Sequence, residues 1–232
     1  MPTTYTLIPG AGGDAWYWHQ VSPLLIDRGA AVIAVDLPFD DESADLTTYA
    51  DMVYDELAGV SGPVILVGQS MGAFTAPMVA QRRPAALIVL VNPMVPAPGE
   101  AAGQWWAATG QPAAMVAHFA RIKLGRNEFD PVEDFFHDVP EAVRAEAFSR
   151  GEPSVSDTPF EQPWPLNRWP DVPTRVVAGS DDRLFPLELQ RRVTRDRLGL
   201  DVDVMPGGHL LALSRPQELV ERLETYRAGA GL

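Results

Sequence analysis

Residues Pro63-Val64-Ile65-Leu66-Val67-Gly68-Gln69-Ser70-Met71-Gly72-Ala73-Phe74-Thr75-Ala76 pass from an unbroken apolar run, through a serine bracketed by glycines, into small residues with helical character. The apolar run reads as a buried strand and the residues after Gly72 as a helix. A turn this sharp forces its central residue into strained backbone geometry, while the glycines two positions to either side let strand and helix approach closely. The side chain of Ser70 is thereby pushed out of the turn, and the segment reads as a nucleophile elbow. The string G-x-S-x-G is common by itself; the strand before it and the helix after it make it specific.

A serine hydroxyl is a weak nucleophile until a base removes its proton, so a histidine and an orienting acid are expected further along the chain. Val202-Asp203-Val204-Met205 reads as a short strand, and the loop Pro206-Gly207-Gly208-His209 follows it. Before it, Thr174-Arg175-Val176-Val177-Ala178 reads as a buried strand ending in Gly179-Ser180-Asp181-Asp182. The order Ser70, Asp182, His209 places all three groups at strand ends, where open α/β sheets build their sites. Asp181 competes for the acid role. Asn92, at the end of the preceding strand, carries no charge for it.

Stabilising a developing oxyanion takes two backbone N–H donors. Met71, directly after the nucleophile, is one. The loop Pro9-Gly10-Ala11-Gly12-Gly13 after the first strand supplies the other, assigned by position to Ala11, with Gly10 beside it as the alternative and a substrate contact. A phosphate cradle is the rival reading of this glycine-rich loop, but no lysine follows it.

With these motifs in place the chain resembles the α/β-hydrolase superfamily. The opening Ile8-Pro9-Gly10-Ala11-Gly12-Gly13-Asp14-Ala15-Trp16-Tyr17-Trp18-His19 is similar to that of the plant methylesterase and hydroxynitrile lyase group. So are Asp182-Arg183-Leu184-Phe185-Pro186, Gly207-Gly208-His209 and Pro216-Gln217-Glu218-Leu219. The likeness covers roughly residues 3–92 and 172–228. It implies Asp182 as the triad acid, and it departs at Pro9, where the group usually has histidine.

The chain alternates strands and helices, which implies a mostly parallel sheet of about six strands flanked by helices, the α/β class. Strands are expected at 5–8, 31–36, 64–67, 87–92, 174–178 and 202–205, and helices at 15–28, 47–59, 71–81, 187–198 and 215–226. Pro77 falls inside the third helix, where it removes a hydrogen bond and predicts a kink. The 232 residues read as one domain, with 93–171 as a cap insertion and connectors. Inside that insertion, helical spacing recurs at 101–109, 113–124 and 140–149. Its aromatic residues, Trp105 and Trp106 foremost, are candidates to bind an apolar or aromatic substrate group. Since adjacent helical residues point apart, only one of the two tryptophans is expected to face the core.

The formal charge of −13 disfavours nucleic acid and anionic membrane partners. The acidic clusters at Asp36, Asp40, Asp41, Glu42 and Asp45, and at Glu128, Asp130, Glu133 and Asp134, read as solvated surface. There are no cysteines, which excludes thiol catalysis. His19, His118 and His137 are read as structural or surface residues. No leader sequence and no apolar stretch of about 20 residues is found, so a cytoplasmic protein is expected. Monomer and homodimer stay open.

Two function classes follow. One is a carboxylic ester hydrolase acting on a small-molecule ester without cofactor or metal. The other is a cofactor-independent lyase, or a non-catalytic receptor for a small ligand, on the same scaffold. The lyases of the group look as though they add a hydroxyl side chain in the oxyanion loop and a lysine after the catalytic histidine. The matching positions here are Gly10 and Leu210.

Overall fold

A computed structural model describes residues 1–232. The strands are β1 (Thr4–Ile8), β2 (Ala31–Ala34), β3 (Val64–Gln69), β4 (Leu87–Val91), β5 (Thr174–Gly179) and β6 (Asp203–Met205). They form one sheet in the order β2-β1-β3-β4-β5-β6, and every pairing is parallel. The strands of the sheet centre, β3 and β4, are continuous buried apolar runs, while those at its edges, β2 and β6, are mostly half-buried. Because side chains alternate across a strand, the sheet feeds two cores. Leu66 and Leu90 face one of them and Ile65 and Val89 the other.

The first core is covered by α2 (Leu46–Glu56), α3 (Gly72–Arg82) and α9 (Leu187–Leu198). The second is covered by α1 (Val21–Ile26), α10 (Leu211–Ser214) and α11 (Pro216–Gly229). The segment read as one helix over 15–28 is instead a 3-10 turn, Ala15–Trp18, followed by α1. Asp14 caps the turn by accepting the Trp16 N–H, and the helix restarts so that Pro23, which lacks an N–H, falls in its first turn. Proline acts similarly at Arg215, which leaves the helical region (φ −139°, ψ 50°) and separates α10 from α11. Helix α3 runs as one element from Gly72 to Arg82 with Pro77 inside it.

Between β4 and β5 lie five helices: α4 (Ala102–Thr109), α5 (Gln111–Arg121), α6 (Pro131–Phe136), α7 (Glu141–Ser149) and α8 (Thr158–Glu161). Buried polar bonds fix this cap to the body. Trp164 Nε1 donates to Phe74 O at 2.9 Å, Gln111 Nε2 to Leu184 O at 2.7 Å, and Arg197 pairs with Glu100 at 2.8 Å. No helix is long and apolar enough to cross a membrane.

Candidate active site

Ser70, Asp182 and His209 follow the carboxyl ends of β3, β5 and β6, which lie along one edge of the parallel sheet with β4 between β3 and β5. Ser70 follows the last residue of β3 and has φ +49°, a left-handed conformation that costs a non-glycine residue about 1–2 kcal/mol. Three backbone bonds hold it there. Its N–H donates to Val91 O at 3.0 Å, and its carbonyl accepts from Ala73 at 3.1 Å and Met94 at 3.0 Å. The flanking glycines are required by space: a Cβ on Gly68 would sit 2.7 Å from Gly72 O, and one on Gly72 would sit 2.8 Å from Ile8 O.

His209 lies on the loop between β6 and α10, and its Nδ1 is 2.8 Å from Asp182 Oδ2. Both side chains are buried. The other oxygen of Asp182 accepts the N–H groups of Leu184 and Phe185, each at 2.9 Å, so the carboxylate is held on both sides. An ionised carboxylate can only accept, which assigns the proton to Nδ1 and leaves Nε2 of neutral His209 as an acceptor. The rings of Phe135 and Phe185 flank the imidazole at centroid distances of 5.3 and 5.0 Å. Asp181 points elsewhere, accepting Gly207 N–H at 3.1 Å and the Ser180 hydroxyl at 2.9 Å.

In the loop after β1, the Gly10 N–H donates to Gln69 Oε1 at 2.8 Å. Gly10 therefore has no N–H to offer a ligand, which removes it as an oxyanion donor. The N–H groups of Ala11 and Met71 have no acceptor within the protein. Gln69 went unread at the sequence level because its partner is 59 residues away; the one available signal was a side-chain amide inside the elbow.

The model of the alpha/beta hydrolase family matches residues 7–222. The chain belongs to the α/β-hydrolase family. This hydrolase is 28% identical to the pyrethroid hydrolase of Sphingobium wenxiniae, over 97% of its own length and 87% of that relative's. It is 23% identical to the polyneuridine aldehyde esterase of Rauvolfia serpentina, over 94% and 93%. Among solved structures it is similar in fold to polyneuridine aldehyde esterase (TM-score 0.79, 19% identity, covering 98% of this chain and 100% of that one). It is also similar to an extracellular α/β-hydrolase from a Paenibacillus species (TM-score 0.75, 19% identity, 97% and 98%).

In this hydrolase both cap tryptophans reach the ring of Phe185, Trp105 at 4.9 Å and Trp106 at 5.6 Å, and they meet each other edge-on at 5.7 Å. The expectation that only one faces inward fails because indole rings are long enough for neighbours on α4 to converge on one partner. Trp105 is buried and donates Nε1 to Val95 O at 2.9 Å, whereas Trp106 is half-buried. His19 is engaged with Trp16: its ring stacks on the indole at 4.4 Å and its Nδ1 lies 2.8 Å from the Trp16 carbonyl. His118 is buried in the cap, with Nδ1 2.9 Å from the Arg121 guanidinium. Burial, and then the charge of Arg121, hold its pKa below the ordinary 6.5.

Asp134 corrects the reading of its cluster as solvated surface. It is fully buried and pairs with Arg126 at 2.5 Å and Arg183 at 3.2 Å. Burial alone would raise its pKa; the hydrogen bond from Arg126 leads the effects that overcome this and lower it. Its neighbour Asp130 caps α6 by accepting from Val132 and Glu133.

Proposed function

We propose that this hydrolase cleaves a carboxylic ester of a small, apolar or aromatic substrate through an acyl-enzyme formed on Ser70. The observation that carries the reading is the 2.8 Å contact between His209 Nδ1 and Asp182, set on the same strand ends as a left-handed Ser70. Ser70 Oγ attacks the ester carbonyl carbon while its proton passes to His209 Nε2. The carbonyl oxygen, now negative, lies between the N–H groups of Ala11 and Met71. Collapse of this intermediate breaks the acyl–oxygen bond, and His209 returns the proton to the departing alkoxide. Water, activated by His209, then attacks the acyl-serine, releasing the acid and restoring Ser70. Asp182 keeps the imidazole oriented and stabilises its charged form.

Relatives named hydrolase and esterase support ester hydrolysis in general. Phe135 and Phe185 beside the base, with Trp105 and Trp106 packed on Phe185, support an apolar substrate group, since such rings bind apolar surface and keep water from the reacting atoms. Leu210 and Gly10 speak against cyanohydrin cleavage: neither can supply positive charge to departing cyanide or a side-chain hydrogen bond to the substrate oxygen.

The test compares wild type with Ser70→Ala on an aryl acetate and on mandelonitrile. Ester turnover that falls by about a thousandfold or more in the variant is expected. Retention of more than about a tenth of the wild-type rate removes Ser70 as nucleophile. Cyanide release without ester turnover replaces the esterase reading with a lyase.

A further inference from the structure

The peptide between Gly207 and Gly208 sits directly before His209 and is flanked on both sides by glycine, so rotating it meets little steric resistance. Its two polar ends are held by different parts of the molecule. The Gly207 carbonyl accepts from the Asp181 N–H at 2.9 Å, within the body. The Gly208 N–H donates to Asp138 Oδ2 at 2.8 Å, and Asp138 belongs to the cap, just beyond α6. That is the one hydrogen bond Asp138 makes. Its other oxygen is buried without a partner, 4.0 Å from the equally unpartnered Nε2 of His137.

The one hydrogen bond of this carboxylate thus goes to the loop that carries His209 and not to a group of the cap. Two further contacts from the same stretch reach the same side of the site. Asp134 pairs with Arg183, next to Asp182, at 3.2 Å, and the Phe135 ring lies 5.3 Å from that of His209. The loop packs tightly here: a Cβ on Gly208 would sit 2.6 Å from His137 Nε2 and 2.8 Å from Asp138 Oδ1, so one of those side chains would have to shift.

We propose that Asp138 is a positioning residue for His209: by holding the Gly208 N–H it locks the glycine peptide that sets the base against Asp182, so that the docked cap completes the site. This rests on His209 being the base of the esterase reading. Asp138→Ala releases the Gly208 N–H end of the peptide, and misplacing the base by about an ångström is expected to lower kcat by up to about a hundredfold while KM changes little. Asp138→Asn keeps an acceptor oxygen at the same point and is expected to retain most of the activity.

A second readout needs no substrate. A proton NMR spectrum of the wild type should show the far-downfield Nδ1–H of His209 bonded to Asp182, assigned by its absence in Asp182→Asn. It should persist in Asp138→Asn and vanish or move in Asp138→Ala. If Asp138→Ala does not fold, Asp138→Ser, too short to reach Gly208, takes its place with the same expectations. An Asp138→Ala enzyme with unchanged kcat and resonance overturns the proposal, as does an Asp138→Asn enzyme as impaired as the alanine variant. Absence of ester turnover in the wild type would instead overturn the esterase reading, with the resonance still testing Asp138.

Discussion

Asn92 holds His209 by its backbone. The Asn92 amide donates at 3.0 Å to the carbonyls of Gly208 and His209, and its Oδ1 accepts the Gly179 N–H at 2.8 Å. A single fully buried side chain thus ties the end of β4 to the end of β5 and to the loop of the base. Asn92 itself has φ +44°, a conformation that asparagine tolerates better than most residues.

Asn92→Asp should therefore be destructive although it is nearly isosteric. A carboxylate would face two carbonyl oxygens with no proton to offer, inside a dry site. The expected loss is about 3 kcal/mol or more of stability, accompanied by a fall in kcat. Urea denaturation of both proteins measures it. A loss below about 1 kcal/mol would mean that the three hydrogen bonds do not hold the loop.

Asp182→Asn and Asp181→Asn should separate sharply. In the first, Oδ1 can still accept from Leu184 and Phe185, but an NH2 group then faces His209 Nδ1 and favours the wrong tautomer; kcat should fall by about a hundredfold or more. In the second, an amide oxygen still accepts the Gly207 N–H, and kcat should change little. Steady-state kinetics on the aryl acetate decide it, and the reverse ranking would move the orienting role to Asp181.

Acid should weaken the fold in a window belonging to His118. Burial and then Arg121 depress its folded pKa below 6.5, with Arg183 adding to this and Asp182 and Asp181 opposing it. Below 6.5 the unfolded chain takes up the proton first. The contribution of neutral His118 is thus full above 6.5 and is lost as pH falls through the lower folded value, at no more than about 1.4 kcal/mol per pH unit. Asp134, depressed from 3.8, acts in the same direction but at lower pH. Denaturation midpoints at pH 7.5 and 5.5 should diverge more in the wild type than in His118→Asn; equal divergence would clear His118.

What was legible in the sequence was whatever chemistry or geometry forces into a short stretch. The elbow around Ser70 and the central strands β3 and β4 read correctly because buried parallel strands are continuous apolar runs and the elbow needs glycine at fixed offsets; the full extent of α9 read correctly from its helical period. Helix α6 was invisible: six residues beginning at Pro131 carry too little periodicity to register. Gln69, Asn92 and Asp138 were invisible for another reason. Each acts through a partner 59 to 117 residues distant, and a polar residue looks the same in sequence whether it meets water or a distant backbone group. Asp134 misled similarly, since its arginine partners Arg126 and Arg183 fall on both sides of it in the chain.

The cap's insertion between β4 and β5 also orders events in time. The elbow and its oxyanion loop are contained in β1, β3 and β4, whose pairings close within the first 91 residues, whereas β5 can join β4 only after residues 92–173 have been made. Closing so long a connection costs little more than a short one, about 0.6 kcal/mol for each doubling of its length, so it delays assembly without forbidding it. As the ribosome releases the chain, the serine turn can take shape early, whereas Asp182 and His209, which the proposed mechanism needs to take up the Ser70 proton, are made only after the inserted helices. On the proposed mechanism a nascent chain or an N-terminal fragment lacks the base, and Ser70 gains it only after the inserted helices have been made.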